Sequence, residues 1–349
     1  MAAKETTYRA GIIGLGFIGG ADQISGDALG QRVGDLDGTH RDALSHHPYI
    51  ELAAGSSRDA GRRQRFTERT GRPTYADWRA MLERENLDLV SVATYAPQHA
   101  EITLACARRG VRVIYCEKPI ATRLADAEQM ASACAAADSL LVINHNRRFN
   151  PNYRRLRDLL TAGELGELTS VSLQWGTGRL GNVGTHLIDA TLMLTGRKVQ
   201  AVSATLDRTG RPDCRGPTFH DPGGWGLMRL DGGVIVTVDA ADEAKGPARI
   251  AVNGTRGRAL TGGEDVTLEY ADGRREHWPS PRAEATSMDR AVTEIVAWLD
   301  GERAFPYAAE EAVHALEAIL GFHASDARNA AWTELPLMGT DREREVHSG

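Results

Sequence analysis

The chain has 349 residues, 42% hydrophobic and 25% charged, a globular balance in a length that exceeds one ordinary core. Its net charge is −6, from 41 basic against 47 acidic side chains, and with no basic tail or stripe a nucleic-acid partner is not expected. No apolar run reaches the roughly 20 residues that span a bilayer, and MAAKETTYRAGIIGLG enters the first strand without a signal core, so no membrane partner is expected.

In chain order, residues 8–14 (YRAGIIG) read as a short apolar strand that runs into glycine, and 50–55 (IELAAG) as a second strand. A charged helix follows over 59–70, a strand over 87–94, a helix over 98–109 and a strand over 111–116. An alanine-rich helix over 124–137 and a strand over 140–145 close the series. Near-continuous apolar strands alternating with helices predict a parallel sheet covered on both faces. Residues 1–150 are therefore read as a doubly wound α/β domain. The stretch from Gly20 to His40 breaks the pattern: it is rich in glycine and aspartate and has no period. It reads as an insertion near 21–39, and both a surface elaboration and a functional loop stay open.

Beyond residue 150 the segments 168–175, 199–206, 225–230 and 234–240 alternate in character, with Gly, Asp and Pro in the turns. They predict an antiparallel sheet with one face against helices near 184–195, 287–300 and 308–328. Residues 151–349 then form an α+β domain for substrate binding and oligomerisation, with the last segment free to return to the first domain. Cys106, Cys116, Cys134 and Cys214 form no CxxC pair and no disulfide framework. A reduced, cytoplasmic setting is the default expectation.

Gly14-Leu15-Gly16-Phe17-Ile18-Gly19 is a GxGxxG directly after a predicted strand. The first glycine allows the tight turn, the second lets backbone approach a pyrophosphate, and the third permits close packing of helix on strand. A second strand that serves NAD usually ends in a carboxylate for the ribose 2′-OH. Here it ends Ser56-Ser57-Arg58, with Arg62 and Arg63 one turn on. Guanidinium groups suit a 2′-phosphate, so NADP is favoured over NAD, although these arginines also fit a solvated helix face. Asp59 reads as an acidic residue of the first helical turn.

Strand 111–116 runs into Glu117-Lys118-Pro119, which places a lysine at the carboxyl end of a parallel strand. Such a lysine is most often structural, yet beside a nicotinamide its ammonium can bond a reacting oxygen. Pro97-Gln98-His99, the segment Asn144 to Pro151 and His186 within GNVGTHLIDA complete the set. Together with GLGFIG and EKP they resemble the glucose–fructose oxidoreductase / inositol dehydrogenase / rhizopine catabolism (Gfo/Idh/MocA) family over nearly the whole chain.

The resemblance implies a Rossmann domain followed by an α+β domain with a large, mostly antiparallel open sheet. It implies NAD(P)-dependent hydride transfer at a carbinol or carbonyl carbon of a sugar, polyol or sugar derivative, with Lys118 and His186 catalytic. It also implies a cis Lys–Pro bond and a homodimer or homotetramer. The cofactor set is Gly14, Gly16, Phe17, Ile18, Gly19, Ser56, Ser57, Arg58, Arg62, Thr94, Tyr95, Pro97, His99, Glu117 and Lys118. The substrate set is Arg148, Trp175, Asn182 and Asp189. The sheet face carrying Val171, Leu173 and Trp175, or their neighbours, is expected to lie between subunits.

One departure stands out. Where the family often has aspartate four residues before the histidine, this chain has Asn182. An asparagine orients an imidazole but does not stabilise its cation. A glycoside-cleaving enzyme with a retained cofactor and a catalytically impaired sensor therefore stay open as alternatives. His186 and Asp189 have no third ligand at metal spacing, so no metal is expected.

Overall fold

The computed structural model describes residues 7–25, 32–209 and 219–346. Cys214 and part of the expected insertion (26–31) lie outside them. The chain divides into two compact units. One comprises Met1–Ile120, Gln129–Asn144 and Ala285–Ala309; the other comprises Ala121–Glu128, His145–Glu284 and Glu310–Gly349.

The elements begin with β1 (Tyr8–Ile13), α1 (Phe17–Gly20), α2 (His40–His46), β2 (Ile50–Ser56), α3 (Ala60–Thr70) and β3 (Thr74–Tyr75). Then come α4 (Trp78–Arg84), β4 (Leu89–Val92), α5 (His99–Arg108), β5 (Val113–Cys116), α6 (Leu124–Ala136) and β6 (Leu140–Ile143). The six strands form one parallel sheet in the order β3-β2-β1-β4-β5-β6. Strands β4 and β5 are buried along their whole length, as a sheet covered on both faces requires. The order reverses between β1 and β4, and ligands of such sheets bind outside the carboxyl ends at that point.

The first crossover has a short helix on each side of the expected insertion. Helix α1 is one turn long and ends where Ala21 adopts φ +52°. Helix α2 restarts at His40 behind a Thr39 N-cap that accepts from the Asp42 backbone N–H. Three arginines on one side of α3 hold the start of the intervening segment. Arg62 Nε donates to Ser25 Oγ at 2.8 Å, Arg65 binds Asp22 through two bonds of 2.8 and 2.6 Å, and Arg69 donates to the Ala21 carbonyl. Burial alone would raise the Asp22 carboxyl, but Arg65 and Ser25 hold it below the usual carboxylate range.

The chain continues with α7 (Pro151–Thr161), β7 (Leu168–Gln174), α8 (Thr185–Thr195), β8 (Val199–Leu206), β9 (Gly224–Leu230) and β10 (Ile235–Ala240). Next are β11 (Arg249–Gly254), β12 (Gly257–Thr261), β13 (Val266–Tyr270), β14 (Arg275–Trp278), α9 (Ser287–Leu299), α10 (Ala309–Asp326) and β15 (Thr333–Glu334). Helix α9 belongs to the first unit, where it packs on α2. The second unit holds a nine-stranded sheet, β14-β13-β12-β11-β7-β10-β9-β8-β15, in which β10 runs parallel to β7 and the remaining pairs are antiparallel.

This sheet corrects one expectation. Val171, Leu173 and Trp175 point inward and are buried. The opposite face carries polar residues such as Gln174, Thr237 and Asp239, together with exposed Trp225 and Leu227. Period 2 tells which residues share a face but not which face meets the helices.

The third glycine of the motif sets the contact between α1 and β1. A Cβ on Gly19 would stand 1.9 Å from the Gly14 carbonyl oxygen. Gly19→Ala is therefore expected to cost about 1–3 kcal/mol of stability through overpacking, read as a lowered midpoint in urea unfolding; an unchanged midpoint would contradict this contact.

Candidate functional site

In the first unit the glycine turn is built to admit a ligand on one side only. Gly14 has φ +103°, and a Cβ there would lie 2.3 Å from the Ala93 carbonyl oxygen. At Gly16 the nearest atom to such a Cβ is Arg62 Nη1 at 3.6 Å, so the outer face of the turn is open. Gly16, Phe17 and Ile18 are half-buried there. These residues fit a pyrophosphate through backbone N–H groups. The expected helix dipole is weak, because α1 has only one turn.

At the end of β2, Ser56 is buried, Ser57 half-buried and Arg58 exposed. Asp59 is the N-cap of α3 and accepts from the Arg62 backbone N–H at 2.7 Å. Arg63 donates to the carbonyls of Ser57 and Arg58 at 2.7 and 2.9 Å, which makes it a clamp on the turn. Arg62 is the arginine whose guanidinium reaches the glycine turn.

At the ends of β4 and β5 the expected residues divide. Tyr95 and Pro97 are exposed, and Thr94 is half-buried. His99 is buried: Nδ1 lies 2.9 Å from the Pro119 carbonyl oxygen and Nε2 lies 3.0 Å from that of Thr94. Burial pushes its imidazole below the usual range, against two carbonyls that favour the cation. His99, expected in the cofactor set, thus joins the β4 and β5 turns. The Lys118–Pro119 bond is cis. Lys118 is half-buried, whereas Glu117 is 6% exposed. Glu117 Oε1 accepts from Asn144 Nδ2 at 2.6 Å and lies 3.0 Å from His40 Nε2. Neither His40 nor Asn144 was singled out in the sequence for chemistry.

In the second unit the segment before α8 is strained and heavily held. Thr177, Gly178 and Arg179 all have positive φ, of +70°, +60° and +62°. Trp175 Nε1 donates to the Gly178 carbonyl at 2.6 Å, so the buried Trp175, expected in the substrate set, supports this turn. A π-turn over Leu180–Gly184 follows and delivers half-buried Asn182 and His186. Asp221 receives the backbone N–H groups of Gly181 and Asn182 at 2.6 and 2.8 Å, and Leu180 N–H donates to the Pro222 carbonyl at 3.0 Å. No sequence signal connects Asp221 to a motif some 40 residues away.

Beneath His186 lies a buried charged cluster. Arg148 Nε donates to both oxygens of Asp189 at 2.9 and 2.8 Å, and Nη2 donates to Oδ1 at 2.7 Å. Arg148 Nη1 reaches Glu311 Oε2 at 2.8 Å. His145 Nδ1 stands 3.1 Å from Asp189 Oδ1, within ion-pair range but off the line of a hydrogen bond, and Nε2 is 3.0 Å from Thr185 Oγ1. The rings of His145 and His186 meet edge to face with centroids 5.9 Å apart. Burial alone would raise the Asp189 carboxyl, but the charges of His145 and Arg148 and the hydrogen bonds of Arg148 hold it at about 2. Asp189 and Arg148, both expected at substrate, are buried, bind each other and back His145. Among the described residues no group of three or more His, Cys, Asp or Glu could hold a metal ion, and no helix is long and apolar enough to cross a membrane.

Two family profiles match the chain. "Oxidoreductase family, NAD-binding Rossmann fold" matches residues 8–145, and "GFO/IDH/MocA C-terminal domain" matches residues 172–260. A dTDP-3,4-didehydro-2,6-dideoxy-alpha-D-glucose 3-reductase of Actinomadura kijaniata is 31% identical over 180 residues, which are 47% of this chain and 54% of that one. A levoglucosan dehydrogenase of Pseudarthrobacter phenanthrenivorans is 26% identical over 68% of this chain and 65% of its own. The alignments thus span less than two thirds of either relative. The solved WlbA dehydrogenase from Bordetella pertussis, in complex with NADH and UDP-GlcNAcA, superposes with a TM-score of 0.78 over 96% of this chain and 99% of that one. At 19% identity that likeness establishes the fold.

The Asp189 cluster has a measurable signature. Removing one partner leaves a buried charge, so Arg148→Met is expected to cost about 3–5 kcal/mol in urea unfolding. The Asp189 carboxyl titrates lower in the folded than in the unfolded chain, so its contribution is present above about pH 4 and is lost as pH falls toward about 2. Wild-type stability should decline across that window. Asp189→Asn should flatten the slope without abolishing it, because Glu117 also titrates at about 2.

Proposed function

Because the chain belongs to the Gfo/Idh/MocA oxidoreductase family, with its NAD-binding Rossmann fold, we propose that it transfers hydride at a carbinol or carbonyl carbon of a sugar, polyol or sugar derivative. The nicotinamide dinucleotide, when bound, supplies or accepts the hydride. The observation that carries the reading is half-buried Lys118 at the carboxyl end of β5, next to β4 at the switch point, with the buried Glu117 carboxylate beside it.

Gly14, Gly16 and Gly19 shape the turn that takes the pyrophosphate. In the first unit Lys118 is assigned proton transfer and polarisation of a reacting oxygen, and in the second unit His186 is carried as a catalytic residue. The ammonium of Lys118 suits an oxygen that gains negative charge. His186 is half-buried in the first turn of helix α8, with the His145–Asp189–Arg148 cluster behind it. Asn182 contributes hydrogen bonds, not charge. The relatives named for dTDP-sugar and levoglucosan substrates support a sugar or sugar derivative.

NADP is the favoured cofactor. Ser57 and Arg58 stand where a ribose-binding carboxylate would, Asp59 is committed as an N-cap, and Arg62 reaches the glycine turn. The reading also includes a homo-oligomer, through the sheet face that exposes Trp225 and Leu227. Light scattering at micromolar concentration should give a mass above that of one chain.

Two measurements test the chemistry. Lys118→Ala should lower kcat by about 10²–10⁴-fold, the usual worth of general acid–base catalysis, while dinucleotide affinity stays within about twofold; near-wild-type turnover would remove Lys118 from the mechanism. Arg58→Ala should weaken NADP by about tenfold or more, the worth of a charged hydrogen bond, and leave NAD nearly unchanged. Equal affinities for both cofactors in both proteins would overturn the NADP preference.

A further inference from the structure

The π-turn ahead of His186 is capped by residues far away in the chain, and nothing in the proposed reaction accounts for that cap. Strands β7, β8 and β10 finish, and β9 begins, at one end of the nine-stranded sheet. The segment after β7 is pinned there by its backbone: the N–H groups of Trp175, Gly176 and Thr177 donate to the carbonyls of Asp239, Gly246 and Ala244 at 3.1, 3.0 and 2.8 Å. The three positive φ angles of Thr177, Gly178 and Arg179 then turn the chain into Leu180–Gly184. The first N–H groups of that turn to find an acceptor within it are those of Val183 and Gly184, both on the Arg179 carbonyl. The three before them are left over, as at any helix start, and all three end on one dipeptide. Leu180 N–H donates to the Pro222 carbonyl at 3.0 Å, Gly181 N–H to Asp221 Oδ1 at 2.6 Å and Asn182 N–H to Asp221 Oδ2 at 2.8 Å.

The dipeptide is itself held. Pro222 confines the residue before it to extended backbone, which limits where the Asp221 carboxylate can point. Gly223 N–H donates to Asp242 Oδ1 at 2.7 Å, and Asp242 N–H donates to Asp207 Oδ2 at 2.9 Å, so the ends of β8 and β10 back the start of β9. A Cβ on Gly178 would stand 1.9 Å from Asp242 Oδ1 and 2.9 Å from Gly223 N, which leaves no slack between this backing and the turn. A carboxylate suits the place because two successive N–H groups point at it and each of its oxygens takes one. Asp221 is 8% exposed, so little water reaches those N–H groups when the carboxylate is removed. His186 is the second residue of α8, directly beyond the turn, and residues 187–194 of that helix are all buried. Core packing fixes the helix behind His186; the backbone in front of it depends on the cap.

We propose that Asp221 is a positioning residue for His186: by taking two successive N–H groups at the head of the π-turn it fixes the backbone that delivers Asn182 and His186. The inference rests on the reading of His186 as a catalytic residue. It gives the loop that enters β9 a part in the reaction, although its sequence carries no motif.

The test compares Asp221→Ala, which removes both acceptors, with Asp221→Asn, which keeps one. Two readouts need no turnover. Backbone hydrogen exchange, read by mass spectrometry, should quicken about tenfold or more across residues 180–186 in Asp221→Ala, while residues 187–194 stay as protected as in wild type. Carbethoxylation of His186 by diethyl pyrocarbonate, followed on its own peptide, should quicken about fivefold or more, and exposed His46 should react as before. Asp221→Asn should fall between the two proteins in both. The third readout is kinetic: Asp221→Ala should lower kcat about tenfold or more, with KM and dinucleotide Kd within about threefold, and Asp221→Asn should recover part of the loss. Should Asp221→Ala fail to fold, Asp221→Asn carries the test, and wild-type exchange in it would overturn the proposal. Unchanged exchange in Asp221→Ala would do the same. So would exchange that also quickens through residues 187–194, because Asp221 would then hold up the helix and not place the histidine. If exchange and carbethoxylation respond as stated but His186→Ala keeps its turnover, the catalytic reading of His186 fails and the hold of Asp221 on the turn stands.

Discussion

Glu117 carries a negative charge at 6% exposure, at the carboxyl end of a parallel sheet, and much of the first unit's local geometry answers to it. A carboxylate in such a place is tolerated only with donors on its lone pairs. They come from α2 through His40 and from the end of β6 through Asn144. Each donor is oriented in turn, His40 by Ser91 and Asn144 by Tyr115. The outcome is a set of strand ends tied by side chains as well as by the backbone ladder. His99 adds a further tie between the β4 and β5 turns. The second unit follows the same logic with opposite partners: Asp189 is buried, Arg148 and His145 neutralise it, and the exposed edge of that cluster is His186.

The architecture was largely legible in the sequence because parallel strands buried on both faces leave uninterrupted apolar runs. Strands β4 and β5 fell within the predicted segments 87–94 and 111–116, and the helices of the second half within a residue or two of 184–195 and 287–300. Strands β11–β14 were not named. RIAVNG, GRALT, VTLEY and REHW are short and charged, and their outer positions are exposed, so periodicity over so few residues carries little signal. The inward direction of Val171, Leu173 and Trp175 was missed for a different reason, since alternation is symmetric between faces until a helix covers one of them.

The site was legible only where its chemistry lies in contiguous motifs. GLGFIG announced itself by spacing after a strand, and Glu117-Lys118-Pro119 by its resemblance to a family motif. The partners that give these motifs their electrostatics lie far away in sequence: His40 is 77 positions from Glu117, and Asp221 is about 40 from the turn it caps. Such partners have no local signature, because a buried histidine at a helix start reads like any other first-turn residue. Nor does the motif show that Arg148 and Asp189 pair with each other through three hydrogen bonds, since the two lie 41 positions apart.

The divided first crossover leans on a shared side chain. Ser25, in the segment between α1 and α2, is held by Arg62, and the same guanidinium extends over Gly16. One side chain therefore serves two places at once, Nε at Ser25 and Nη1 at Gly16. Asp22 and Ala21 are tied separately, to Arg65 and Arg69. Losing Arg62 would thus loosen Ser25 and strip positive charge from the glycine turn together, whereas losing Arg65 would release Asp22 alone.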